Sequence, residues 1–252
     1  MTKAILLWIF LSEVINTKWN DCAGIFLDFG SNVGVQARKF FEPDLYPNAP
    51  LVPLFERLYG PVETRRKKFC VIGFEANPHH TERLKLVENC HRKLGWKTIF
   101  FSETAVSNKD GVVDFYADAE PEHNEWGSSI FDHNKKNLKY SIKSVDIASF
   151  IKKNLAVNFT RTVVAKMDIE GSEYIVLPHM LESEILCNET LAEIMIEWHP
   201  KMVPVEQKEI VQKSENIMHL LSKQTCVVTK VTNFDDESYL FDTKPFPAEC
   251  LK

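Results

Sequence analysis

Residues 24–29 form a short apolar run that ends in a glycine turn, and residues 34–42 behind it carry apolar positions at helical spacing. The alternation recurs down the chain. Strands are predicted at 69–75, 97–101, 162–168 and 192–198, and helices at 79–94, 147–154, 171–184 and 205–222. Leu84, Val87 and Cys90 mark one buried helical stripe. Residues 112–117 alternate like a strand behind a Lys109-Asp110-Gly111 turn, and 141–145 is a further short strand. Between 42 and 68, Pro43, Pro47, Pro50, Pro53 and Pro61 leave loop with one short helix at 51–59. A polar loop covers 118–136, and two late strands fall at 225–232 and 238–242.

Composition fits a single α/β domain of 252 residues, 44% hydrophobic, with an insertion at 43–68. A net charge of −5 without a basic block argues against a nucleic-acid partner. The run Arg65-Arg66-Lys67-Lys68 reads as a solvated loop face. Near the N-terminus, residues 4–11 are apolar but too short to span a bilayer. They read as part of a helix at 3–16 packed on the sheet edge, which favours a cytoplasmic protein. Sequons at Asn158 and Asn188 keep a secretory lumen open, as does the alternative of a signal-peptide core. Cys70 and Cys226 fall inside apolar strands, where free cysteine behaves as a small hydrophobe, and no spacing suggests zinc.

The first chemical signal is Asp28-Phe-Gly30-Ser31-Asn32-Val-Gly34. A strand breaking into a glycine turn and then a helix is how α/β sheets build a nucleotide pocket. The dinucleotide fingerprint needs bare backbone for a pyrophosphate. Here Asn32 replaces its second glycine, and Asp28 would repel a phosphate. The pattern suits a cationic, phosphate-free ligand such as S-adenosylmethionine; a strand–turn–helix capped by Asp28 is the bland alternative. A second apolar run ends at Glu75, followed by Asn77, where such folds bind ribose hydroxyls. A third ends in Lys166-Met-Asp168-Ile-Glu170-Gly171-Ser-Glu173. Acids at a helix start are favoured by its dipole. Lys166 and Asp168 instead share one face of a strand at i and i+2, and charges in an apolar run are costly unless matched.

Taken in order, D-F-G-S-N-V-G, F-E-A-N-P, A-V-S-N-K-D-G, K-M-D-I-E-G-S-E and I-E-W-H resemble the FkbM family of S-adenosylmethionine-dependent methyltransferases, from Asp28 to His199. The resemblance implies a Rossmann-like seven-stranded, mostly parallel sheet with helices on both faces and a C-terminal antiparallel hairpin. It implies methyl transfer, usually to a hydroxyl oxygen of a sugar or natural-product-like acceptor. N-methylation and a catalytically silent scaffold are the alternatives.

On that reading Asp28 and the Gly30–Gly34 turn, with Ser31 and Asn32, hold the methionine end. Glu75 binds the ribose, with Asn77 near the adenosine. Ala105 and Glu103 follow the third strand, where adenine is usually contacted; Glu103 reads equally as a solvated loop acid. Asp168 faces the methyl group, with Lys166, Glu170 and Glu173 beside it. His199 is either structural or a neutral base near pH 7. Asp168 and Glu197 are too few to define a metal site. The segment Glu125-Trp126-Gly-Ser-Ser129 and the proline-rich insertion are the candidate covers for a small-molecule or glycan acceptor.

Overall fold

The computed structural model describes Trp19 and residues 21–118, 127–132, 138–155 and 161–251. The expected N-terminal helix, Trp126 and the Asn158 sequon lie outside the described residues. Nine strands occur among those described: β1 (Gly24–Phe29), β2 (Phe69–Glu75), β3 (Lys97–Ser102), β4 (Thr104–Ser107), β5 (Gly111–Ala117), β6 (Leu138–Asp146), β7 (Thr162–Met167), β8 (Glu193–Ile196) and β9 (Lys230–Asn233). Six form one sheet in the order β3-β2-β1-β7-β8-β9, every pair parallel. The other three form a small sheet, β4-β6-β5.

The central strands are apolar along their whole length because both faces are covered. Phe26, Val71, Val164 and Met195 pack on one side with the helices Val35–Phe41 and Leu51–Tyr59. Leu27, Ile72, Ala165 and Ile194 pack on the other, with Ile147–Asn154 and Glu173–Glu182. Alternate residues of each strand thus serve opposite layers, and the fold is Rossmann-like.

Three expectations are corrected. Among the described residues the sheet has six strands, not seven, and no hairpin: β9 runs parallel to β8, and 238–241 is a turn. Buried charges pull the chain off the sheet after Asn233. Asp236 pairs with Lys39 at 3.1 Å, and Asp242 pairs with Arg38 at 2.9 Å and accepts from Tyr46 Oη at 2.6 Å. Residues 234–251 therefore cross over the helix Val35–Phe41 as a strap.

The basic run is helix, not loop. It closes Val62–Lys68, and Arg65 and Arg66 turn inward to donate to the Phe40 and Phe41 carbonyls at 2.9 Å. Those carbonyls end a helix and lack intrahelical partners. The cysteines, finally, are not thiols: Cys22–Cys70, Cys90–Cys250 and Cys187–Cys226 are disulfides. Their long separations explain why spacing did not reveal them. No helix among the described residues is long and apolar enough to cross a membrane.

Candidate functional site

The turns after β1 and β7 meet over the carboxyl ends of the central strands, where open α/β sheets bind ligands. Gly30 and Ser31 both donate backbone N–H groups to the Phe74 carbonyl at 3.0 Å, tying the first turn to β2. Gly30 has φ 85°, and a Cβ there would stand 1.8 Å from the Asp168 carbonyl oxygen. Glycine is what lets the two turns touch. Asn32, also left-handed at φ 48°, donates its N–H to Glu75 Oε2 at 2.6 Å. The Asn77 N–H donates to Glu75 Oε1 at 2.7 Å. Each carboxylate oxygen keeps acceptor capacity for a ligand hydroxyl.

Two clefts open above these turns. The first is lined by Glu75, Thr104, Ala105, Phe115 and Ser129. The second is lined by Gln36, Lys166, Glu197, His199 and, from the strap, Asp236 and Glu237. Gly30, Asn32, Asp168 and Glu170 belong to both. Ser129 Oγ donates to the Glu170 carbonyl at 2.6 Å, fixing the junction from the small-sheet side.

The charges at the junction are strongly coupled. Lys166 is 2% exposed and donates to Asp168 Oδ2 at 2.5 Å. Its register partner on β1 is Asp28. Burial opposes the ammonium charge, but Asp168 and Asp28 outweigh it and raise the Lys166 pKa. Asp28 is fully buried with no hydrogen bond to either carboxylate oxygen, and burial, partly offset by Lys166, pushes it up to about 7.

His199 sits among acids: Nδ1 lies 3.1 Å from Glu173, and Nε2 lies 3.3 Å from Glu197 and 3.7 Å from Glu170. Burial works against its charge, but Glu173 and Glu197 outweigh burial and push it up to about 11. The imidazole is therefore held in its charged form near neutral pH, which favours the structural alternative for His199 over the neutral base. Glu170 moves up to about 8 because burial exceeds the lowering effect of His199. Ligand-type atoms of Asp168, Glu170 and His199 lie within 4.8 Å of one another, and Lys166 is paired with Asp168 at the same place.

The sequence-predicted residues divide into three groups. Gly30, Asn32, Glu75, Ala105, Asp168 and Glu170 line the first cleft, and Ser31, Lys166 and His199 join the second. Asp28, Gly34, Asn77, Glu103 and Glu173 line neither. Gly34 instead begins the helix Val35–Phe41, and Asn77 accepts the His79 N–H at 3.0 Å as a cap. Glu173 accepts the Ile169 and Gly171 N–H groups at 2.8 Å, stapling the β7 turn. Glu103 is exposed and turned to Thr81 Oγ1 at 3.3 Å, leaving Thr104 and Ala105 to face the cleft. Gln36, Asp236 and Glu237 were not anticipated. For Gln36 the helical position alone gave no signal, and the two acids reach the site only through the strap.

A parallel sheet covered by helices on both faces, with Glu75 and Asp168 beside the glycine turn at its switch point, is a Rossmann-like fold of the methyltransferase kind. Residues 30–225 match the Methyltransferase FkbM domain. The chain belongs to the FkbM methyltransferase family. Neither a curated protein nor a solved structure matches it.

Proposed function

We propose that this chain transfers a methyl group from S-adenosylmethionine to a hydroxyl oxygen of a sugar or a similar small polyhydroxylated acceptor. The observation that carries this reading is the junction: two clefts meet at Gly30, Asn32, Asp168 and Glu170. A donor in the first cleft and an acceptor in the second would face each other there.

The residues of the first cleft fit the cofactor. Glu75 has acceptor capacity for a ribose diol, and Asn32 Oδ1 is buried without a partner among the described residues. Carboxylates of Glu75 and Asp168 flank the glycine turn, which favours a sulfonium and an ammonium over a diphosphate. When bound, S-adenosylmethionine supplies an already electrophilic methyl carbon. The chain must then align the acceptor and accept one proton.

Alignment in a near-attack geometry supplies much of the rate. Glu170 is the better base. A carboxyl pushed up to about 8 is matched to proton transfer near neutral pH. His199, held charged, steadies the ionised forms of Glu170 and Asp168, with Nε2 at 3.7 and 3.8 Å. Lys166 neutralises Asp168 from beneath. Isothermal titration with S-adenosylmethionine and with NAD tests the cofactor, and transfer of labelled methyl to a panel of neutral sugars tests the acceptor. Saturable heat with S-adenosylmethionine alone, followed by labelled methyl ether, is expected. A folded chain that binds NAD and not S-adenosylmethionine would overturn the reading.

A further inference from the structure

We propose that this chain folds in an oxidising secretory lumen and carries an N-linked oligosaccharide on Asn188. Two independent observations support this. All six cysteines are paired, across sequence separations of 48, 160 and 39 residues. Reducing compartments keep thiols unpaired, whereas secretory lumens form and retain such bonds. In addition, Asn188-Glu189-Thr190 is a glycosylation sequon whose asparagine is exposed.

The local geometry presents that asparagine. Residues 188–190 are a turn, closed by Thr190 and Leu191 N–H groups donating to the Cys187 carbonyl at 2.8 Å. The Asn188 N–H donates to the Val227 carbonyl at 2.7 Å, and the Cys187–Cys226 bond tethers the same two segments. Both groups that hold the turn are backbone or sulfur, so the side-chain amide is not needed to maintain it. The turn precedes β8, whereas both clefts lie beyond the carboxyl ends of the strands. A glycan at Asn188 therefore projects from the end of the sheet opposite the site and leaves it open.

In the covalent step the Asn188 amide nitrogen attacks C1 of a lipid diphosphate-linked oligosaccharide. The N–C1 bond forms, the bond from C1 to the diphosphate oxygen breaks, and the amide proton goes to a base of the transferase. The lipid diphosphate leaves, and nothing is oxidised or reduced. The inference is independent of the methyl-transfer reading.

The test expresses the full chain from Met1 in insect cells and maps its peptides before and after peptide-N-glycosidase, with free thiols alkylated beforehand. The expected result is a glycan on the Asn188 peptide, with Asn188 becoming aspartate when the glycan is released, and no alkylated cysteine. Asn188→Gln and Thr190→Ala each lose one mobility step, and Thr190→Ser keeps it. An unmodified Asn188 peptide in folded protein, alkylated cysteines, or a glycan on Asn158 alone would each overturn the proposal. Occupancy is read on the wild-type chain, so the answer does not depend on a variant folding.

Discussion

Replacing Glu75 by Gln separates a cofactor-binding carboxylate from a merely structural one. In the native chain Glu75 receives two short backbone N–H bonds, from Asn32 at 2.6 Å and Asn77 at 2.7 Å. An amide keeps one acceptor oxygen and turns an NH2 group toward the other donor. That turn bond is lost in the free and bound chain alike and shows in stability. A ribose hydroxyl donating to the carboxylate is a charge-assisted bond made only in the bound state, worth about 1.5–3 kcal/mol. At about 1.4 kcal/mol per tenfold, its loss weakens S-adenosylmethionine binding roughly 10- to 150-fold. Isothermal titration gives the two affinities, and thermal unfolding shows whether the glycine turn has shifted. Glu75→Asp, which keeps the charge on a shorter stem, should fall between wild type and Glu75→Gln. A Glu75→Gln chain that melts lower than wild type yet binds S-adenosylmethionine within twofold of wild type would refute the reasoning, since Glu75 would then only brace the turn.

Four further outcomes are expected. Glu170, pushed up to about 8, binds its proton below that pH. The rate of methyl transfer should climb as pH rises through about 8 and level above it, and Glu170→Gln should abolish the climb in a pH–rate profile. Its folded pKa lies above the ordinary value of 4.5. The same group therefore costs stability as pH rises from about 4.5 to about 8, which denaturant titration of wild type and Glu170→Gln would detect. Gly30→Ala places a methyl 1.8 Å from the Asp168 carbonyl oxygen at a left-handed φ. The turns must part, and loss of at least about 2 kcal/mol in chemical unfolding is expected. Replacing Cys90 and Cys250 together by Ser opens a crosslink between residues 160 apart. Chain entropy sets the cost at up to about 5 kcal/mol, read as a fall in melting temperature, while cofactor affinity of the folded fraction should hold.

The parallel core was legible because its signals are local. A strand buried on both faces is an uninterrupted apolar run, and Gly30 and Gly34 mark the turn that follows it. The strap was not legible, because nothing near Asp236 or Asp242 in sequence shows that Lys39 and Arg38 await them across the fold. Taken alone, 238–242 is a short apolar run that reads as a strand; two buried ion pairs and a distant disulfide override that propensity. The basic run at 65–68 misled for a related reason. Arginine is ordinarily a surface residue, yet its fork can bond helix-end carbonyls from within, as Arg65 does with the Phe40 carbonyl. Glu173 and His199 show the same limit within the site. Spacing placed both near the junction, and only geometry shows one stapling a turn and the other held charged.

The first cleft is lined by residues inside the matched span 30–225, whereas part of the second cleft's lining comes from beyond it. Asp236 and Glu237 reach the second cleft on the strap; Asp236 is already paired with Lys39 and Glu170 binds its proton below about 8, which leaves Asp168, Glu197 and Glu237 against Lys166 and His199. Unit charges about 4 Å apart interact by about 4 kcal/mol at an effective dielectric of about 20, so the balance of acids over bases matters to any charged acceptor. A phosphate or sulfate entering this cleft meets net repulsion, whereas a neutral polyol or an amino sugar does not. Matched pairs of sugars differing only in one sulfate should accordingly separate in kcat/KM, the neutral member preferred by at least about tenfold for about 1.4 kcal/mol of repulsion. Glu237→Gln should narrow that ratio without altering S-adenosylmethionine affinity, because Glu237 lines only the second cleft. Equal rates for sulfated and neutral members, in the wild-type chain, would show that acceptors dock away from the strap.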